Sequence, residues 1–184
     1  TTTVAVDAAN VLVTRSVSYP DATTSEQTIT RNRLVQSSRT KSGVTTTYVY
    51  DALGRQTREI DPRMGSNYPV ETHYDSYGRV DWVEDAADNR TTYSYSTTTG
   101  RLGWERDPNS RYTYYDYTNR GEPYRTWGDV PYPAEYAYDS WGRRVTVKTY
   151  RGGTGWTGST WPASPGTADT TTWNYQESTG LLTS

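Results

Sequence analysis

The sequence predicts an all-β chain of tandem antiparallel β-hairpins, each about 22 residues long. Three observations carry that expectation: the composition, a recurring turn motif, and the lack of helical periodicity sustained over three turns. The 184 residues include 18 Tyr, 7 Trp and 33 Thr but no Phe, with few Leu and Ile and a single Met. That inventory cannot build a helix-packed core. Thr, Tyr, Val and Trp suit pleated, half-wet surfaces, and Tyr without Phe implies rings whose polar tips reach a partner or water.

Composition also removes function classes. The 19 basic and 21 acidic side chains nearly cancel, so there is no electrostatic footprint for nucleic acid or an anionic membrane. No apolar run approaches the roughly 18 to 20 residues of a membrane-spanning helix. Cysteine is absent, which excludes disulfides, thiolate nucleophiles and cysteine-held metals, and the lone histidine, His73, excludes multi-histidine metal sites. The chain opens Thr1-Thr2-Thr3 with no initiator Met and no signal-peptide pattern, and so reads as a piece of a longer protein.

The repeat is clearest in mid-chain. Tyr48-Val49-Tyr50-Asp51-Ala52-Leu53-Gly54-Arg55 recurs as Tyr74-Asp75-Ser76-Tyr77-Gly78-Arg79 and as Tyr136-Ala137-Tyr138-Asp139-Ser140-Trp141-Gly142-Arg143. Relaxed copies place further turns at Asn10, Asn32, Gly100, Asn119 and Gly180, the Asn119 copy aligned on Tyr115-Asp116. Successive spacings are 22, 22, 24, 22, 19, 23 and 38 residues, the last being one repeat plus an insertion. Tyr-x-Tyr alternation puts both rings on one strand face. Asp is a favoured first turn residue because its carboxylate accepts from backbone N–H groups further on. The fourth position then turns left-handed, which Gly does freely and Asn tolerably. Strands resume at Arg79-Val80, Arg101-Leu102 and Arg143-Arg144. A second set of turn signals closes each unit at Pro20-Asp21, Ser42-Gly43, Asp61-Pro62, Ala87-Asp88-Asn89 and Asp107-Pro108-Asn109. Eight turns imply about 16 strands, roughly 75 Å across if flat, too wide for a twisted sheet that does not curl.

The Y-D-x-x-G-R hairpins at this spacing resemble the RHS/YD-repeat family over essentially the whole chain. The resemblance implies a hairpin ribbon curled into part of a shell, tube or solenoid, as in toxin-enclosing shells, wall-associated bacterial proteins and teneurins. It implies a non-enzymatic scaffold of an extracellular or cell-surface bacterial protein, forming envelope material or enclosing cargo such as a toxin. Its partners would be neighbouring repeats, copies of itself end to end, or an enclosed polypeptide, with no cofactor or metal. The expected organisation is one array over 1–184, a fragment of a longer repeat protein: degenerate repeats at 1–43, regular ones at 44–150, an inserted Gly/Trp/Pro loop at 151–170 and a final partial repeat at 171–184. The residues that carry the motif are Tyr50, Asp51, Gly54, Arg55, Tyr74, Asp75, Gly78, Arg79, Tyr138, Asp139, Gly142 and Arg143.

Other chemistry is weaker. His73 precedes Tyr74 and so faces the opposite side of its strand, with no nucleophile-like Ser nearby. The motif Asp residues could pair as glycosidase acid and base, but a catalytic pair occurs once and these recur, which favours turn capping. Asp61-Pro62-Arg63-Met64-Gly65 loosely resembles the D-P-x-G stretch at which some RHS shells cleave themselves, yet it has one residue too many and repeats on both sides. Trp127 to Pro133 reads as a rigid inter-hairpin loop. Trp156 and Trp161 in the insertion pack on their own sheet or offer a glycan contact. The tyrosine row is either a core or lumen lining or a carbohydrate-binding, adhesive platform.

Overall fold

The computed structural model describes residues 1–7, 12–30, 32–64 and 69–183. Asn10, Arg31 and Gly65 lie outside them. Every regular element among the described residues is a β-strand. The chain divides into two compact units, residues 1–90 and 91–184. The first holds β1 (Thr2–Asp7), β2 (Leu12–Ser18), β3 (Thr24–Thr30), β4 (Val35–Arg39), β5 (Thr45–Tyr50), β6 (Gln56–Ile60), β7 (Val70–Tyr74) and β8 (Val80–Glu84). The second holds β9 (Arg90–Tyr95), which opens on the boundary, and β10 (Leu102–Arg106), β11 (Tyr112–Tyr117), β12 (Pro123–Gly128), β13 (Ala134–Tyr138), β14 (Arg144–Arg151) and β15 (Thr167–Thr172). Within each unit the strands lie in chain order, antiparallel to their neighbours. Among the described residues fifteen strands stand where about sixteen were expected; a bridge, Tyr175 to Leu182, begins the next return.

The register explains the motif's spacing. In the first unit Tyr48, Tyr50, Thr72 and Tyr74 share one face, while Val49, Arg58, Glu71, His73 and Trp82 share the other. On the strand leaving each motif turn one residue is extra. Tyr50 opposes Gln56 but Val49 opposes Arg58, Tyr74 opposes Val80 but His73 opposes Trp82, and Tyr138 opposes Arg144 but Ala137 opposes Thr146. These bulges bend and twist the returning strand at the motif end of each hairpin. The opposite ends, β2–β3, β4–β5 and β6–β7, pair without a shift.

Two turn assignments need correction. Positive φ falls on Arg33 (63°) rather than Asn32, and on Gly121 (101°) rather than Asn119. In the second case the Tyr115-Asp116 pair mimics the motif but lies inside β11, where Asp116 opposes Arg125. The hairpin closes two residues later: the Thr118 N–H donates to the Glu122 carbonyl at 2.9 Å and Gly121 N–H to the Thr118 carbonyl at 3.0 Å. Tyr117 thus occupies the motif tyrosine position. Strand pairing outweighs a local Tyr-Asp match because it satisfies a run of backbone groups.

Burial is shallow. Trp127, Ala134 and Tyr150, at 3%, 6% and 7% exposure, are the buried hydrophobic residues described, so the core sits in the second unit. Trp127 belongs to β12, and the irregular stretch after it shortens to 129–133. The insertion is also shorter than its sequence suggests, because β14 and β15 pair from Arg151–Thr167 inward and leave a strap of residues 152–166. It folds back on its own sheet: Trp161 meets Trp127 and Tyr150 edge-on at 5.8 and 5.4 Å, and Trp127 Nε1 donates to the Gly158 carbonyl at 3.0 Å. A tryptophan so covered removes about 200 Å² from water, on the order of 5 kcal/mol. Trp127→Ala is therefore expected to cost about 3 to 5 kcal/mol, measured as a drop in urea midpoint, whereas replacing the exposed Leu53 leaves the midpoint unchanged.

Candidate functional site: the contact between successive hairpins

The turns at 51–55, 75–79 and 139–143 are each fixed by one carboxylate. Asp51 Oδ1 accepts from the Leu53 and Arg55 N–H groups at 2.9 and 3.0 Å, while Oδ2 accepts from Arg55 Nε and Nη2 at 2.7 and 2.6 Å. Asp75 takes Tyr77 N–H and Arg79 N–H, both at 2.9 Å, and Arg79 Nε at 2.7 Å. Asp139 takes Trp141 N–H and Arg143 N–H at 2.9 Å and Arg143 Nε at 2.6 Å. Gly54, Gly78 and Gly142 sit at φ of 80°, 83° and 80°. The backbone bond from Arg55, with its guanidinium, holds Asp51 below the usual carboxylate range. For Asp75 and Asp139 partial burial pushes upward, and the N–H groups and guanidinium of Arg79 and Arg143 outweigh it.

The same device occurs at the opposite end of a hairpin, where the sequence reading saw only a generic turn. Asp107 accepts from Asn109 and Arg111 N–H groups at 2.9 Å and from Arg111 Nε at 2.7 Å, with Ser110 at φ 63° in the glycine place. The signal was present: Asp107-Pro108-Asn109-Ser110-Arg111 is the motif with Ser for Gly. Asp61 differs, binding Arg63 two residues on, and the Arg63 guanidinium holds its carboxyl down at about 2.

The arginine so held reaches the following hairpin. The Arg55 guanidinium lies 4.3 Å from the Tyr74 ring centroid, and Tyr74 Oη donates to the Gln56 carbonyl at 2.9 Å. Arg143 lies 4.4 Å from the Tyr175 ring, and Tyr175 Oη donates to the Arg144 carbonyl at 3.0 Å. Arg101 lies over Tyr117 at 5.6 Å, and Tyr50 Oη donates to the Val35 carbonyl at 2.8 Å. The next turn's glycine closes the contact. A Cβ at Gly78 would stand 3.2 Å from Arg55 Nη1, one at Gly180 3.2 Å from Arg143 Nη1, and one at Gly121 2.6 Å from Arg101 Nη2. At the Asp51 and Asp139 turns Asp, Arg, Tyr and Gly thus form a head-to-tail clasp, in which a hairpin holds its own turn and the tyrosine and glycine of its successor; Arg101, whose turn is held by Ser96, makes the contact without an aspartate.

Two joints depart from this: Leu34 stands at the arginine position before Tyr50, whose hydroxyl keeps its bond to the Val35 carbonyl, and the second departs further. Glu122 occupies the arginine position before Tyr138, Thr118 Oγ1 donates to it, and Tyr138 Oη is shielded from solvent with no hydrogen-bond partner. Arg120 makes a partial substitute, donating to the Ser140 carbonyl at 2.8 Å.

The remaining candidates are placed as follows. Trp156 and Trp161 are half-buried, 5.1 Å apart and edge-on to each other, with Trp156 Nε1 bonded to the Gly152 carbonyl and Arg125 over Trp161 at 4.6 Å. His73 Nδ1 lies 2.6 Å from Asp81, and its ring stacks parallel on Trp82 at 5.2 Å. An unpredicted aromatic row, Trp104, Tyr112, Tyr114 and Trp127, runs on the face opposite Tyr115, each ring within 5.4 to 5.7 Å of the next. Its i, i+2 spacing on adjacent strands was the legible signal. No group of three or more metal-ligating side chains clusters among the described residues.

Two predictions follow from the clasp. At Gly78 the left-handed φ alone costs an ordinary residue about 1 to 2 kcal/mol, and the Arg55 contact adds to it. Urea midpoints should fall in the order Gly54→Ala, Gly78→Ala, Gly121→Ala, since the incoming Cβ meets Leu34 at 3.6 Å in the first case and Arg101 at 2.6 Å in the last. At Gly78, Asn should be tolerated better than Val, and Arg79→Ala should cost less than Gly78→Val. The second concerns acid. Folded carboxyls lie below their unfolded values, so their stabilisation is complete above the unfolded pKa of about 4 and is lost as pH falls through the folded values. A flat urea midpoint from pH 7 to about 5, falling steadily from about 4 to 2, is expected, with Asp107→Asn flattening part of the fall.

A family model described as RHS Repeat matches residues 30–63. Curated protein sequences give no match. Among solved structures the chain resembles the Photorhabdus luminescens Tc holotoxin pore (TM-score 0.67, 16% identity, 94% of this chain and 10% of that one). It also resembles TcdB2–TccC3–Cdc42 (0.63, 14%, 90% and 10%) and TcdB2–TccC3–TEV (0.63, 16%, 94% and 10%). The chain spans about a tenth of the length of those chains. The chain thus carries an RHS repeat at residues 30–63 and shares its fold with these solved structures.

Proposed function

We propose that the chain is a non-enzymatic structural scaffold, a stretch of wall from a shell or envelope that encloses a polypeptide such as a toxin, in a secreted or cell-surface bacterial protein. The observation that supports this most is the clasp, because it is directional and repeats. Arg55, Arg101 and Arg143 each seat the hairpin that follows, so the contact can be extended by further repeats without closing on itself, as a wall requires. The polar chemistry is engaged in that contact: the motif carboxylates are held by arginines and backbone N–H groups. The similarity to Tc toxin structures supports the same reading. Partners would then be further hairpins of the same kind and whatever the wall surrounds.

A glycan-binding role has narrower support. Flat rings that stack on sugars need an open face, and Trp161 meets Trp127, Tyr150, Trp156 and the Arg125 guanidinium. Sedimentation and electron microscopy of the purified chain across a concentration series test the scaffold directly. Association into elongated, edge-paired assemblies is expected, with no oligosaccharide retained on a glycan array. A concentration-independent monomer, with array binding lost in Trp156→Ala or Trp161→Ala, would replace the scaffold by an adhesion module.

A further inference from the structure

We infer that residues 152–166 are a latch over a built-in seam, the joint between β12 and β13 in the second unit. The joint is weak by three separate measures. Its register has two residue pairs, Arg125 with Glu135 and Thr126 with Ala134, against five on either flank. Its clasp lacks the arginine, since Glu122 stands there. Its tyrosine, Tyr138, buries a hydroxyl without an acceptor, a defect that ordinary joints avoid.

The joint between β6 and β7 supplies the comparison. It too has two residue pairs, Arg58 with Glu71 and Glu59 with Val70. There the clasp is complete, with Arg55 over Tyr74 and the Tyr74 hydroxyl bonded to Gln56. The strap lies at the joint that lacks both the arginine and the tyrosine hydroxyl's bond.

Its contacts run across that joint. From β12, Trp127 bonds to Gly158 and meets Trp161, and Arg125 stacks on Trp161 while forking onto Glu135 of β13 at 2.6 and 2.8 Å. From β14, Tyr150 meets Trp156 and Trp161 at 5.6 and 5.4 Å. Because β13 and β14 form one hairpin, tying β12 to β14 holds the joint shut without help from its ladder. The neck of the strap is tight: a Cβ on Gly153 would lie 2.6 Å from the Pro165 carbonyl oxygen. Releasing the strap therefore opens one joint and leaves its neighbours closed, which makes this the place where the second unit parts.

Hydrogen exchange read by mass spectrometry tests this on the full chain. Trp161→Ala should speed exchange in β12 and β13 by about tenfold and leave β10 unchanged, because local opening samples only the joint. Rebuilding the clasp with Thr118→Asp plus Glu122→Arg should, with the strap intact, slow exchange in those two strands, and should reduce the effect of Trp161→Ala below about threefold. Uniform acceleration over β10 to β15, no acceleration at all, or no rescue by the rebuilt clasp would each overturn the latch. If Trp161→Ala does not fold, Gly153→Ala loosens the neck and is read against the same outcomes.

Discussion

The regular repeats depend on an aspartate that meets its backbone and its arginine at once. A carboxylate has two oxygens, and in these turns they divide the work: at Asp51 one takes the N–H groups of the turn and the other takes the guanidinium. The first half shapes the loop. The second removes the rotamer freedom of a long side chain before it is asked to recognise anything, a cost of up to about 2 kcal/mol that a free arginine would meet at each contact. The planar group is then offered to the next hairpin at a fixed height, where a tyrosine face lies against it and a glycine gives way. A lysine could supply the charge but not the fork or the flat surface.

This arrangement suits a sheet with so little core. Where few side chains leave water, a ladder of backbone bonds is the main source of order, and ladders of identical strands slip. The clasp counters slippage, because its four members come from two hairpins and meet in one register. The bulge opposite each motif tyrosine serves the same end by placing the carbonyl that the next tyrosine reaches, as Gln56 does for Tyr74. Face alternation then leaves the other side of each unit free to vary. In the first unit it carries charge pairs such as Arg58–Glu71 and Arg90–Glu84; in the second it carries the row that ends under the strap.

How much of this could be read from the chain follows from how local each signal is. Strand, turn and left-handed glycine at 51–55, 75–79 and 139–143 are properties of five consecutive residues, and alternation assigns the tyrosines to one face. The pairing of Arg55 with Tyr74 spans 19 positions, and no rule of local spacing yields it. The displaced turn at Gly121 shows the opposite failure: Tyr115-Asp116 satisfied the local motif, and only the partner strand could show that Asp116 belongs opposite Arg125. Trp127 was misread for a related reason. Gly, Asp and Pro follow it closely, so the neighbourhood looked like a loop, while its burial comes from a segment more than 30 residues downstream.

The second unit adds a physical point about repeats with defects. A chain of identical clasps would be uniformly strong, and its opening would have no preferred place. Glu122 in place of an arginine weakens the joint between β12 and β13, and the weakness does not spread, because each clasp touches only its successor. Compensation then comes from the other face, since on the tyrosine face Arg120 reaches the Ser140 carbonyl but leaves the Tyr138 hydroxyl unbonded. That is where the insertion lies, and it is where Trp127 and Tyr150 leave water. Core and strap occur together in the second unit for one reason: apolar burial is the remaining source of stability once both the ladder and the clasp are short, and it can be supplied by any segment long enough to cross from β12 to β14. A loop of Gly, Ser, Thr and Trp does this without adding a strand, so the period of the sheet resumes at β15 as if nothing had been inserted.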